Sequence, residues 1–154
     1  MGDITIKRAE PGDFEEAWAI VNEYCDAVDV VVREDRRAFL GYYFSDGAGV
    51  WLAKRGQTVT GCIALRPLDN SAGEVKRLYV QPASRGQGIA GLLLAAVHEY
   101  ARAVGYEWLY LDSKDDLAAA INFYEKSGYS RCARYNDNPQ ATIFMRKQLA
   151  GPVT

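Results

Sequence analysis

The sequence predicts a mixed α/β fold in which about four helices flank a mostly antiparallel sheet of about seven strands. Three observations lead to this fold class. Apolar residues alternate along several short segments, as in strands, and recur at helical spacing along longer ones. Short turns join the early strands, which must therefore run antiparallel. Only residues 73–112 have the strand–helix–strand order that gives a parallel pair.

The first half of the chain is predicted to form four strands and two helices. Residues 3–8 alternate as a strand does, and a turn over residues 10–13 follows it. Asp13 is the candidate N-cap of a helix whose apolar residues recur from Phe14 to Cys25. The next predicted elements are a helix over 33–44 and strands over 49–54, 58–66 and 73–80.

The second half is predicted to contain the remaining elements of one domain over residues 1–150. Apolar residues lie on one stripe of a helix over 86–104, and Gly105 suits the position just after its end. Gly128 similarly ends a later helix. The full set is a helix over 86–104, a strand over 107–112, a helix over 115–127 and strands over 129–134 and 141–148.

Composition and charge argue against several classes of function. The chain has 154 residues and a formal net charge of −2, which disfavours a broad surface for binding DNA or RNA. His98 is the only histidine, and no cysteine pair has ligand spacing. We therefore expect no nucleic-acid partner, no metal site and a structural role for His98.

The cysteines and the apolar segments bear on where the protein resides. The three cysteines, Cys25, Cys62 and Cys132, are widely spaced among apolar neighbours, which predicts buried thiols in a reducing compartment. The N-terminus carries charge where a signal peptide needs an apolar run. The longest apolar stretch, residues 89–97, is too short to span a bilayer. We expect a cytoplasmic protein with no membrane partner.

The stretch EVKRLYVQPASRGQGIAGLLLAAVHEYA contains a literal G-x-G-x-x-G at Gly86, Gly88 and Gly91. A dinucleotide site is disfavoured, because residues 81–85 separate the strand from the first glycine and because the chain has one β-α-β unit. Glycines that only ease helix packing are also disfavoured, since each costs a helix about 1 kcal/mol relative to Ala. A helix N-terminus with free N–H groups, beside Arg85, instead predicts a phosphate-bearing ligand.

Two segments carry a resemblance to a known family. Val80-Gln81-Pro82 followed by Arg85-x-x-Gly88-x-Ala90 is similar to the acetyl-CoA signature of the GNAT superfamily of N-acyltransferases. The later segment AAAINFYEKSGY, residues 118–129, resembles the Tyr-bearing helix of that superfamily. The order of the predicted elements matches as well, so the resemblance extends over essentially the whole chain.

The resemblance implies acetyl-CoA as cosubstrate and a particular way of holding it. The strand over 74–80 is expected to part from the strand over 107–112, with the pantetheine arm in the gap and the N–H of Val80 beside the thioester carbonyl. Many members have an Asn where this chain has Leu117, and Asn122 is the nearest substitute. The implied cofactor-binding residues are Leu78, Tyr79, Val80, Arg85, Gly86, Gln87, Gly88, Ile89, Ala90, Gly91 and Asn122.

The same resemblance assigns catalytic roles to two residues. Tyr124 would give a proton to the departing thiolate, because a phenol with a pKa near 10 can protonate a thiolate whose thiol has a pKa near 8.5. The alternative is that Tyr124 is a buried aromatic. Glu74 would accept the proton of the amine, unless it is an ordinary strand-end carboxylate. Asp112 and a chain of waters are the other candidate bases.

The acceptor is predicted from the first two helices and the last hairpin. These segments carry acidic and aromatic residues, which suit a small cationic amine, although the aromatics could equally be core and the acids a solvated face. We expect an N-acetyltransferase acting on a small primary amine by direct attack in a ternary complex. A protein or peptide acceptor, a non-catalytic acetyl-CoA sensor and a homodimer stay open. The acceptor-side residues are Asp26, Asp29, Asp35, Tyr42, Tyr43 and the loop 135–139.

Overall fold

A computed structural model describes residues 3–149, so both ends of the predicted domain over 1–150 lie outside the described residues. Single turns of 3₁₀ helix, Pro11–Asp13 and Pro82–Ser84, precede the first and third helices. The helices are α1 (Phe14–Ala27), α2 (Arg36–Tyr43), α3 (Ile89–Val104) and α4 (Ala118–Lys126). The strands are β1 (Ile4–Arg8), β2 (Gly49–Arg55), β3 (Thr58–Pro67), β4 (Ala72–Val80), β5 (Trp108–Ser113), β6 (Ser130–Arg131) and β7 (Ile143–Gln148).

The strands form one seven-stranded sheet in the order β1-β2-β3-β4-β5-β7-β6. The pair of β4 and β5 is parallel, and the other neighbouring pairs in this sheet are antiparallel. The connection through α3 makes the parallel pair possible, since parallel strands need a long crossover. The predicted fold class is confirmed.

Apolar cores lie on both faces of the sheet. Successive residues of β3 point to opposite faces, so Ile63 packs with α3 and α4 while Cys62 and Ala64 pack with α1 and α2. Both faces of the central strands are therefore covered, which explains why β2 and β3 are apolar almost continuously rather than in alternation. The helices hold the middle of the sheet from both sides.

The structure differs from the sequence predictions at several places. Helix α3 begins at Ile89 rather than at residue 86, because Gly86 and Gly88 have φ values of 80° and 77°, outside the helical region. Strand β6 is only two residues long, because the chain leaves the sheet after Arg131. Cys132 follows it and is partly exposed, so the prediction of a buried thiol was wrong there.

The start of α1 differs from the prediction. Asp13 precedes α1, but its carboxylate accepts the N–H of Glu10 rather than capping the helix.

The described residues also bear on membrane-spanning helices and metal-binding clusters. Within this range, no helix is long and apolar enough to cross a membrane. Over the same residues, no three His, Cys, Asp or Glu side chains are grouped to hold a metal ion.

Candidate active site

Strands β4 and β5 pair at one end and then separate. Residues 72–74 pair with residues 108–110, and no pairing between the two strands follows in the described residues. Strand β4 is bent just beyond this point by a bulge, in which Arg77 has a φ of 59° and Ile63 of β3 faces two residues instead of one. The edge of β4 from Val75 to Val80 is thereby left open toward β5.

A cavity of about 1230 Å³ occupies this gap and extends to both faces of the sheet. Such a volume is ample for a cosubstrate and a small acceptor together, since ligand pockets commonly span about 300–1,000 Å³. One half lies against the loop before α3 and the start of α4, and we call it the cofactor half. The other half lies against the loop 28–35 and the loop 137–141, and we call it the acceptor half.

The glycine-rich loop presents unpaired backbone N–H groups to the cofactor half. Among the described residues, none of the N–H groups from Gly86 to Gly91 has a hydrogen-bond acceptor, and the first helical bond of α3 is Leu92 N–H to Gly88 O at 3.2 Å. A Cβ added at Gly91 would meet no atom of this part of the chain within 4 Å. Positive φ values account for Gly86 and Gly88, whereas packing does not account for Gly91, where the missing side chain leaves room for a phosphate group to approach the backbone.

Arg85 and Val80 define the boundary between the loop and the open strand edge. The Nε of Arg85 donates to the carbonyl of Val80 at 2.9 Å. Because Gln81 donates its N–H to Thr60 on β3, the N–H of Val80 is directed the other way, toward the gap. Val80 thus offers an N–H but no free carbonyl, which suits an oxyanion donor and limits its pairing with a pantetheine arm.

Tyr124 lies on α4 and lines the cofactor half of the cavity. Its side chain is buried, and its hydroxyl makes no hydrogen bond to residues 3–149. Burial raises the pKa of Tyr124 well above its usual value of 10, so the hydroxyl keeps its proton at neutral pH. The hydroxyl is therefore available as a hydrogen-bond donor in the cofactor half of the cavity.

The two candidate bases are joined by one asparagine. The Nδ2 of Asn136 donates to Glu74 Oε2 at 3.0 Å and to Asp112 Oδ2 at 2.6 Å. Asp112 lines the cavity, whereas Glu74 does not, because it is the last β4 residue paired with β5 and Tyr135 covers its carboxylate with a 2.7 Å hydrogen bond. The structure thus places Asp112, rather than Glu74, beside the space for substrates.

Loops from distant parts of the chain build the acceptor half. Gln140 accepts a hydrogen bond from the N–H of Val31 and donates one to the carbonyl of Asp29, which joins the two loops. Tyr42 is half exposed and lines this half, while Tyr43 is buried and donates its hydroxyl hydrogen to Glu34 at 3.1 Å.

The predicted acidic lining of the acceptor half is observed in part, since Asp35 and Asp137 line the cavity and Glu34 does so as well. Asp26 and Asp29 do not line the cavity, and Asp26 pairs with Arg33 at 2.8 Å. Asp35 does line it, but its carboxylate is engaged in capping α2. The wall also contains cationic residues, which the sequence prediction did not include: Arg33, Arg66, Lys76 and Arg77.

Two predicted cofactor contacts lie outside the cavity wall. Gln87 is exposed, and its side chain accepts a hydrogen bond from Arg55. Asn122 is exposed as well, since two residues along a helix turn the side chain by about 200° from that of Tyr124. Leu117, which stands where many family members have an Asn, does line the cavity. The other predicted contacts line it too: Leu78, Tyr79, Val80, Arg85, Gly86, Gly88, Ile89, Ala90 and Gly91.

Comparison with known proteins agrees with this geometry. The model of the Acetyltransferase (GNAT) family matches residues 14–129, which is most of the chain, and the protein therefore belongs to that family. An N-acetyltransferase of Schizosaccharomyces pombe is 29% identical over 148 residues, covering 91% of each chain.

Solved structures show the same fold. A GNAT-family acetyltransferase of Staphylococcus aureus has a TM-score of 0.82 at 21% identity, covering 96% of this chain and 100% of that one. The acetyltransferase yncA of Salmonella typhimurium, solved with its cofactor acetyl-CoA, has a TM-score of 0.76 at 22% identity. That match covers 99% of this chain and 98% of the other.

Proposed function

We propose that the protein transfers the acetyl group of acetyl-CoA to the primary amine of a small molecule, by direct attack within a ternary complex. One observation carries the proposal: a single cavity joins the unpaired N–H groups of Gly86–Gly91 to an acceptor half across the gap between β4 and β5. The acetyl-CoA complex of the yncA protein supports the choice of cosubstrate.

The loop and the strand edge would hold acetyl-CoA in this proposal. The N–H groups of Gly86–Gly91 and the charge of Arg85 would bind the pyrophosphate, as the N-terminus of a helix does with anions. The pantetheine arm would lie along the open edge of β4. The thioester carbonyl would then meet the N–H of Val80, which stabilises negative charge on the oxygen in the transition state.

The reaction itself requires one bond to form and one to break. The nitrogen of a neutral amine attacks the thioester carbon, and the resulting tetrahedral intermediate expels the coenzyme A thiolate. Tyr124 would donate a hydrogen bond to that sulfur. Asp112 would accept the proton that the nitrogen loses, either directly or through water, with Asn136 holding its carboxylate in position.

Substitution of Tyr124 by Phe tests the proposal. Wild-type protein should release free thiol from acetyl-CoA in the presence of a panel of amines, amino acids and peptides. Tyr124→Phe should lower kcat by about 100-fold, because the sulfur loses its hydrogen-bond donor, while CoA affinity changes less than about 3-fold.

Tyr106→Phe is the matched control for this test. Tyr106 is as buried as Tyr124, but its hydroxyl donates to Gly47 O at 2.8 Å and it does not line the cavity. Its substitution should leave kcat unchanged. Equal turnover by both variants would contradict the catalytic role, and an absence of thiol release with every acceptor, despite CoA binding, would favour the non-catalytic sensor.

A protein or peptide acceptor is the alternative within the enzyme class. The acceptor half is a cavity partly closed by the loops 28–35 and 137–141, and this favours a small molecule over a folded protein. The screen distinguishes them directly, since a peptide substrate would outperform every free amine and amino acid at equal concentration.

A further inference from the structure

Arg77 is a largely buried charged side chain of the cavity wall whose hydrogen-bond donors are only partly satisfied. Its side chain is only 9% exposed, yet it makes one ion pair, Nη2 to Glu34 Oε2 at 3.2 Å. Its Nε is buried without a hydrogen-bond partner among residues 3–149. A guanidinium has five N–H donors, and a buried donor without an acceptor costs about 1–3 kcal/mol. The site is therefore incomplete as it stands.

Arg134 is an example of a guanidinium in this protein with several hydrogen-bond acceptors. Arg134 donates to the carbonyls of Asn136, Asn138 and Ala141, and it holds the loop that they form. Among residues 3–149, Arg77 has no comparable set of carbonyl acceptors. It is joined to the loop 28–35 through Glu34, and its remaining donors are left for an acceptor that a ligand could supply.

The backbone at Arg77 is also unusual. A residue other than glycine at a φ of 59° costs about 1–3 kcal/mol and persists only where the surroundings impose it. The bulge that contains this conformation directs the side chain into the acceptor half of the cavity. Lys76 and Arg66 lie in the same wall, and each reaches Glu74 only at 3.8 Å and 3.5 Å respectively, so the wall carries further positive charge.

We infer that the acceptor is an amino carboxylic acid whose carboxylate binds the Arg77 guanidinium while its amine reacts. This inference rests on the proposed function and names its substrate class. Arg77 precedes Val80 by three residues, which is about 10 Å along a regular strand, and an arginine side chain is long enough to cover part of that distance. A carboxylate separated from the amine by a few bonds fits that span.

The opposite end of the acceptor is recognised by opposite charge. Asp112 lies at the parting of the strands and would attract the ammonium group before its proton is lost. A zwitterionic amino acid therefore matches a cavity wall that contains both Arg77 and Asp112. A simple cationic amine, which the acidic residues of the sequence suggested, would leave the guanidinium unsatisfied.

Matched acceptors test the inference: phenylalanine, phenylalaninamide and phenethylamine, each titrated with acetyl-CoA while free thiol is measured. The amine of the amide loses its proton more readily, so without a carboxylate site the amide would react faster. We expect the opposite, with kcat/KM for phenylalanine at least 10-fold above both analogues, because an ionic hydrogen bond distinguishes them. The same three kinds of compound based on leucine form a second set, which separates the effect of the carboxylate from a preference for the phenylalanine side chain.

Arg77→Gln should reduce the preference for the acid to about 3-fold or less, mainly through a higher KM. Arg8→Gln is the control, because Arg8 binds the carbonyls of Ser45 and Ala48 away from the cavity. Equal or better turnover of the amides and amines by the wild type would overturn the inference, as would an unchanged preference in folded Arg77→Gln.

A separate readout distinguishes this inference from the proposed function. The thermal midpoint of the CoA complex is measured with each acceptor, in wild type and in Arg77→Gln. If no acceptor releases thiol, the proposed function fails. A midpoint raised by phenylalanine but not by its amide, and only in the wild type, would still support the carboxylate site, whereas equal shifts would overturn it. If Arg77→Gln does not fold, the wild-type comparison of acid and amide decides alone.

Discussion

Helices α2 and α3 begin in opposite ways. Asp35 precedes α2, and its carboxylate accepts the N–H of Ala38 at 2.8 Å, so the chain itself satisfies the start of that helix. Gly88 precedes α3 in the left-handed region and offers no side chain to the free N–H groups that follow. The start of α3 therefore keeps N–H groups that are available to an anion, such as the pyrophosphate of the proposed cosubstrate.

The strongest test of this comparison exchanges one exposed glycine in each helix for leucine. Gly91 and Gly41 are both helical, and an added Cβ would meet no described atom within 4 Å at either position. Gly91→Leu should weaken CoA binding by about 100-fold, because the side chain occupies the path of the pyrophosphate. Gly41→Leu should leave affinity unchanged. Calorimetry measures both constants.

The same pair has an internal control for folding. Leucine has a higher helix propensity than glycine by roughly 0.8 kcal/mol, so neither variant should lower the thermal midpoint. Equal affinities for CoA in the two variants would contradict the proposal that the start of α3, unlike α2, binds the pyrophosphate.

A second prediction concerns His98, which lies in the middle of α3, away from the glycine loop that precedes the helix. His98 is buried, its Nε2 lies 2.9 Å from the Tyr129 hydroxyl, and burial, with smaller effects of Lys147 and Arg102, lowers its pKa to about 4. The unfolded chain binds a proton at His98 below about pH 6.5, whereas the folded protein does not. The free energy of unfolding therefore does not depend on His98 titration above about pH 6.5. As the pH falls toward 4, protonation of His98 in the unfolded chain lowers that free energy by roughly 2 kcal/mol.

His98→Gln checks this dependence. Denaturant titrations between pH 7 and pH 4 should show a smaller loss of unfolding free energy in the variant, while CoA binding at pH 7 stays as in the wild type. An equally steep loss in both proteins would assign the acid sensitivity to other groups.

A third prediction concerns the charge beside the loop. Arg85→Gln should weaken CoA binding by about 10-fold and make it less sensitive to salt, because the site loses one positive charge near the pyrophosphate. Arg37→Gln, on the exposed surface of α2, is the control and should change neither quantity. Affinities at two salt concentrations give both results, and an Arg85 variant with the wild-type salt dependence would count against the assignment.

The smallest expected effect is that of removing the N-cap of α2. Asp35→Ala removes the cap and should lower the free energy of unfolding by about 1 kcal/mol, without affecting CoA affinity. Chemical denaturation measures the loss. A stability equal to that of the wild type would mean that the cap contributes nothing to α2.

The elements of the fold could be predicted well from the sequence, because local pattern determines most of them. The alternation of apolar residues and the short turns specify the early strands, and the glycine loop marks the start of the parallel unit. The start of α3 was placed too early, since sequence alone does not reveal that Gly86 and Gly88 take positive φ values. The extent of β6 was overestimated, because after a last backbone bond from Cys132 N–H to Phe144 O the loop is held by its own hydrogen bonds, such as Asn138 N–H to Asn136 Oδ1.

Most of the residues that line the cofactor half were also named from the sequence, since one contiguous stretch, residues 78–91, supplies many of them. The acceptor half was predicted less well, because distant segments meet there. Nothing local shows that Asn136 bridges Glu74 and Asp112, or that a bulge turns Arg77 into the cavity. Of the acidic residues suggested by composition, Asp26 and Asp29 lie outside the cavity wall, and Arg33, Arg66, Lys76 and Arg77 add positive charge that the sequence prediction did not include.

The hydrogen bonds of Gln140 have a consequence for how such an enzyme diversifies. The side-chain amide of Gln140 connects the loop after α1 to the loop before β7, and the residues it joins lie outside the strands. Insertions or exchanges in these two loops would therefore reshape the compartment for the nucleophile while the machinery for the acyl donor stays intact. Selection for a new metabolite could act on that compartment with little penalty to folding.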